Sequence, residues 1–288
     1  MAEISASEVK RLREKTGAGM MECKNALVST EGDFDKAVKL LKEKGLAALG
    51  QRAGRATNEG KIFVKTKDDG SAAILVELAT ETDFVAKNPD FIALGSAIAD
   101  KALEKGYGEP NDELNGMVTE LATKIRENMG VKRIRLVKAS ANEYLVQYIH
   151  GDGKIGVVVK CESDKPEIFK TDEVKEFVFT LALHVTAYNP LALDRSKVDA
   201  ALIKEQEDIF RVQMSKDEKL QGKPENVLDG ILKGKVNKYL SEICFVEQGY
   251  VRDDKLTVTK AVEECAKKAG AKLTIADYVY FKVGEAEG

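Results

Sequence analysis

A chain of 288 residues is long enough for two or three domains, and its 43% hydrophobic and 32% charged content suits a protein that buries a core in water. The net charge of −3 excludes a general electrostatic attraction to nucleic acid, and no run of about eighteen apolar residues offers a membrane span. Residues 1–15, MAEISASEVKRLREK, contain acids and lack the apolar core of a signal peptide, so a cytoplasmic location is expected, or an organellar one after processing.

Three short helices are expected at the start. Ser5 or Ser7 caps the first, Val9 and Leu12 share its inner face, and TGAG at 16–19 breaks it. The second carries Met20, Cys23 and Leu27 and ends in STEGD at 29–33. The third carries Phe34, Ala37, Val38 and Leu41 and is expected to stop at Gly45. Residues 46–60, with Gly50, Gly54, Gly60 and two arginines, read as a linker with room for a short helix. So small a bundle suits a docking module on a larger body.

The period then shortens to two. KIFVKTK, the turn DDG at 68–70, and AAILVELA form a β-hairpin. Asn88 caps a helix with Pro89 at its first position, running to Gly106. Leu114, Val118, Leu121 and Ile125 mark a second helix, expected to end at Gly130, and VKRIRLVKA reads as a third strand. The same grammar repeats: EYLVQYIH, the turn GDGK, IGVVVKC, then a helix at about 171–188. Two charged helices flank QGKP at 221–224, with narrow stripes through Val198, Leu202, Ile209 and Val212, and through Leu228, Leu232, Tyr239 and Ile243. They predict a projecting antiparallel helical hairpin. A helix from Thr257 to Gly270 and the strand LTIADYVYFKVG close the chain. The expected division is 1–55 for the bundle, 56–140 for a first core half, and 141–288 for a second half with the helical hairpin at about 190–243 and a C-terminal module.

Motifs of chemistry are few. No GxxxxGK[ST] is present to cradle a phosphate, and GAGMM lies between helices, where dinucleotides do not bind. Cys23, Cys161, Cys244 and Cys265 have no metal-ligand spacing and read as buried thiols. His150 flanks a tight GDG turn, and His184 reads as a satisfied, partly buried histidine. Met20 and Met21 diverge by about 100° on a helix, so at least one is expected at the surface, framed by Arg11 and Arg13. TETDFV at 80–85 has two readings. Thr80 or Thr82 caps a turn while Phe84 and Val85 enter the core, or Phe84 stands on an exposed turn as an anchor for a partner.

VKRLREKTGAGMMECKNAL at 9–27 resembles the N-terminal signature of the elongation factor Ts family, and ETDFVAKN at 81–88 its second signature. YIHGDGKIGVVV, LALHVTAYNP and QGKPENV are similar to further family segments in order and spacing, so the resemblance spans the chain. It implies an α+β fold: an N-terminal three-helix ubiquitin-associated-like domain, a core of two similar α+β subdomains with antiparallel sheets, and an inserted helical hairpin. It implies a nucleotide-exchange factor rather than an enzyme, with no cofactor or metal of its own. The implied partner is elongation factor Tu carrying GDP, with no direct nucleic acid and no membrane. Thr82, Asp83, Phe84 and Val85 are then expected to contact that partner and dislodge its magnesium. Arg13, Met20 and Met21 are expected to dock it, with His150 as a further contact. The helical hairpin leaves open a homodimer or a two-plus-two complex.

Overall fold

The computed structural model describes residues 4–285, so the outer ends of the expected first and last domains, 1–3 and 286–288, lie outside the described residues. The chain opens with α1 (Ala6–Thr16), α2 (Met20–Ser29) and α3 (Phe34–Arg52). Ser5 caps α1 in a reciprocal box with Glu8, and Gly17 closes it at φ +67°, a conformation glycine adopts without strain. Val9, Leu12, Cys23, Ala26, Leu27, Ala37 and Leu41 form a small core of their own.

The body follows the expected two-part grammar. Its first part comprises β1 (Glu59–Thr66), β2 (Ala72–Thr80), α4 (Asp83–Ala86), α5 (Pro89–Lys105), α6 (Asp112–Ile125) and β3 (Met129–Lys138). Its second comprises β4 (Glu143–His150), β5 (Ile155–Ser163), α7 (Asp172–Tyr188), α8 (Ala200–Ser215), α9 (Glu225–Ile243), β6 (Gly249–Tyr250), β7 (Asp253–Thr257), α10 (Val258–Ala269) and β8 (Leu273–Lys282). The main sheets are antiparallel, in the orders β1-β2-β3 and β4-β5-β8. The fold is therefore α+β, with one strand arrangement used twice.

Continuous burial of β2 explains its unbroken apolar run. Ile74, Val76 and Leu78 point toward α5 and α6, while Ala73 and Leu75 join Ile62, Val64, Leu145, Val158 and Phe281 between the two sheets. Gly156 lets the sheets approach, since a Cβ there would strike Ile62. Gly95 of α5 lies against the Phe63 ring in the same way. Gly95→Ala should therefore destabilise the fold by about 1–3 kcal/mol, despite the better helix propensity of alanine. A urea-unfolding midpoint measures this.

Three local expectations are corrected. α3 does not stop at Gly45 but runs to Arg52, so the first part of the expected linker, 46–52, is helix. Gly45 is a contact point instead, because a Cβ there would meet Thr123 of α6. Gly130 does not end α6. Arg126 does so, in the left-handed region at φ +66°, and Gly130 pairs with Ala79 inside β3. The stripe on α8 is offset: Ile203, Phe210 and Met214 face α9, while Ile209 and Val212 point outward. Leu202–Ile203 and Ile209–Phe210 offer two stripes about one residue, or roughly 100°, apart, and the larger Phe210 settles on Tyr239 with ring centroids 6.4 Å apart. On α9 the buried residues are Leu232, Val236 and Leu240.

All four cysteines are free and buried. Burial pushes the Cys161 thiol up to about 12 and Cys265 to about 11, which keeps both protonated. His184 is fully buried: Nε2 meets Gln248 Oε1 at 3.0 Å, and Nδ1 accepts the Val251 N–H at 3.2 Å. Burial holds this ring below its ordinary value of 6.5. The unfolded chain takes up a proton that the folded chain refuses, so stability is full above about pH 6.5 and falls as pH drops below it. Unfolding free energy should therefore decline as pH falls through about 6.5. His184→Asn should flatten that slope in urea titrations.

Candidate functional site

The TETDFV segment leaves the end of β2 and forms α4, a single helical turn. Thr80 is buried, and Thr82 is the N-cap, its hydroxyl accepting the Val85 N–H at 3.4 Å. Asn88 then caps α5 by accepting the Asp90 N–H at 2.8 Å, with Pro89 beginning that helix. Successive helical residues diverge by about 100°, so on this fixed turn Phe84 and Val85 point in different directions. Val85 goes inward at 7% exposure, with Ala86, into the core beneath α5. Phe84 goes outward at 82% exposure.

Each sequence reading is therefore half right. Thr82 caps and Val85 enters the core, while Phe84 is held in solvent. The Val85 side chain anchors the turn from below and is not on the turn's outer face. Asp83 pairs with Lys87 at 2.7 Å, one turn along, and that hydrogen bond holds its carboxyl below the usual range. In this conformation Asp83 braces the turn.

The GDG turn between β4 and β5 lies beside this site. Buried Lys61 reaches the Asp152 carbonyl at 2.6 Å and its carboxylate at 2.7 Å, and the Ile62 N–H donates to Gly153 O at 2.7 Å. Lys154 pairs with Glu59, and its charge also acts on Asp83. His150, at the end of β4, is exposed, with Nδ1 3.0 Å from the Tyr148 hydroxyl.

On the N-terminal bundle, Met20 and Met21 are both exposed, at 58% and 64%. The inner face of α2 is taken by Cys23, Ala26 and Leu27, so neither methionine is needed in that core. Arg11 and Arg13 are both exposed, and the Arg11 guanidinium lies 4.0 Å over the Phe34 ring of the bundle.

Sequence reasoning missed the side chains that tie this surface together from afar. Glu127 accepts from both Thr80 and Thr82, and Glu81 accepts the Asn128 N–H at 2.6 Å and an Arg55 N–H at 3.2 Å. The Asn128 bond comes first, with Arg55 adding to it, in holding the Glu81 carboxyl below its usual range. A partner 45 residues away leaves no periodicity to find. Among the described residues, no helix is long and apolar enough to cross a membrane.

The family model described as "Elongation factor TS" matches residues 81–285, from the turn bearing Phe84 through β8. The chain is 52% identical to the elongation factor Ts of Treponema denticola over 282 residues, which is 98% of this chain and 99% of that one. It is 44% identical to that of Treponema pallidum over 291 residues, covering 98% and 99%. It is 39% identical to that of Clostridium acetobutylicum over 293 residues, covering 98% and 93%. Similarity at this level along essentially the whole length, with the α+β architecture it accompanies, places the chain in the elongation factor Ts family.

Proposed function

We propose that this chain binds elongation factor Tu carrying GDP and promotes GDP release, so that GTP can reload. The observation that carries the reading is Phe84: a large apolar side chain, 82% exposed, on a turn pinned at both ends. A side chain held in solvent at the cost of exposed apolar surface suits a pocket supplied by a partner. Phe84 is the wedge that enters the partner near its magnesium site, with Thr82 and Asp83 bracing it. The displacement loosens magnesium and the phosphate site, and GDP leaves. No covalent bond is made or broken, so the chain acts as a binding protein and not as an enzyme in the chemical sense.

Affinity must be coupled in both directions: the factor weakens GDP on its partner by the same ratio that GDP weakens the factor. Arg13, Met20 and Met21 are the docking contacts of the three-helix domain, which we read as ubiquitin-associated-like, and His150 is a further contact beside the wedge. Translation places this work in the cytoplasm. The test is direct. Elongation factor Tu loaded with fluorescent GDP is mixed with the chain, and release is followed in time. Catalytic amounts should accelerate release, and an unchanged rate would defeat the reading.

A further inference from the structure

The turn bearing Phe84 is only four residues long, too short to hold its own shape. Its stiffness comes from the loop between α6 and β3. There the Glu127 carboxylate accepts three hydrogen bonds: from the Thr80 hydroxyl at 3.0 Å, the Thr82 N–H at 3.1 Å and the Thr82 hydroxyl at 2.8 Å. The third has a consequence. With its proton committed to Glu127, the Thr82 hydroxyl has lone pairs left only for accepting, and it accepts the Val85 N–H of α4. Glu127 thus selects the rotamer of the cap, and the cap starts the turn.

The exchange of carboxylates runs both ways. Glu81 accepts the Asn128 N–H, so residues 80–82 and 127–128 clamp each other. A third segment joins them. Asn128 donates its amide to the Arg55 carbonyl at 2.8 Å, and Arg55 pairs with Glu81 at 3.2 Å. Arg55 stands three residues past the end of α3, so the clamp also receives the chain arriving from the N-terminal bundle.

We propose that Glu127 is a positioning residue for nucleotide exchange: by holding Thr82 as the cap of α4 it fixes the direction in which Phe84 points. The proposal rests on the reading of Phe84 as the exchange element. A residue of this kind contributes to the step in which the wedge is seated and little to the initial docking, which other surfaces provide.

The test uses Glu127→Ala and Glu127→Gln, each alone and combined with Phe84→Ala. Release of fluorescent GDP from elongation factor Tu is measured over a range of factor concentrations. Glu127→Ala should lower the maximal release rate about ten-fold and change the half-saturating concentration less than about two-fold. Glu127→Gln keeps an acceptor for the Thr82 N–H and should recover most of the rate. In the Phe84→Ala background, Glu127→Ala should add no further loss, since the two residues act through one side chain. Hydrogen exchange supplies a second readout: the Thr82 and Val85 amides should exchange faster in Glu127→Ala while those of β2 stay protected. A parental maximal rate in Glu127→Ala, an equal further loss in the Phe84→Ala background, or unchanged Thr82 and Val85 protection would each overturn the proposal. Failure of the underlying reading looks different, because Phe84→Ala alone would then release GDP as fast as the parent.

Discussion

Phe84→Ala is expected to slow the stimulated release of GDP from elongation factor Tu by about thirty-fold or more, with a melting temperature within about 2 °C of the parent. The first figure follows from an anchor of at least about 2 kcal/mol filling a partner's pocket. The second follows from exposure. At 82% accessible, the ring contributes little to the fold, and surface substitutions usually stay within about 0.5 kcal/mol. Alanine is also the better helix former. A further readout isolates the mechanism. If the wedge makes its contacts only where nucleotide is weakly held, truncation should weaken binding to nucleotide-free elongation factor Tu more than binding to the GDP form. Equal losses in both forms would make Phe84 a uniform contact and remove the wedge. A collapse in melting temperature would make it a fold residue.

The neighbouring Val85 should behave in the opposite way. Its side chain is buried, so its truncation acts through the turn's foundation and lowers stability together with exchange. Two adjacent residues of one motif are thus expected to differ because one side chain packs into the core and the other stands in solvent.

This division also shows what the sequence made legible. Features written within a few residues read correctly: a serine cap on α1, left between Ser5 and Ser7, the Asn88 cap, Pro89 at its helix start, the Gly106 and Gly270 stops, and both β-hairpins. Each is a local bargain between a side chain and the nearest backbone groups. Features decided by a distant surface did not read. Gly45 carries the sign of a helix stop, but Thr123, far along the chain, needs its missing Cβ. Arg126 ends a helix where no glycine advertises it. The outward Phe84 was legible only as one of two alternatives, because its direction depends on Val85 finding the core beneath α5. Glu127 was not legible at all. It stands in the unremarkable stretch RENMG, and its role exists only once β2 has brought Thr82 alongside it.

The second large effect concerns how the two sheets are joined. Glu77 is the one charged residue in the apolar run AAILVELA, and it is fully buried. Its carboxylate accepts from Arg133 Nε on β3 and, at 3.0 Å, from the Gly284 N–H just past β8. Arg133, itself 6% exposed, also donates to the Lys282 carbonyl at 2.7 Å and lies 4.2 Å over the Phe281 ring. One ion pair in the first sheet therefore holds the end of the last strand of the second.

Removing one member of such a pair leaves the other charge buried and unmatched, which costs about 3–5 kcal/mol. Glu77→Ala should lower the unfolding free energy by about that amount, read from the urea midpoint, and strip protection from the β8 amides before those of β5. Glu77→Gln keeps an acceptor for Gly284 and should cost less. The paired change Glu77→Leu with Arg133→Met should recover much of the loss, since it removes both charges and refills the space with apolar volume. Exchange activity should follow stability here, falling only as the temperature nears the lowered midpoint, in contrast to Phe84→Ala. The reason is placement: the Phe84 turn leaves the first sheet and the GDG turn beside it belongs to the second, and Lys61, Ile62 and the apolar layer keep the two together while the protein stays folded. A loss below about 1 kcal/mol in Glu77→Ala would mean that water reaches Arg133 and that this ion pair does not hold β8.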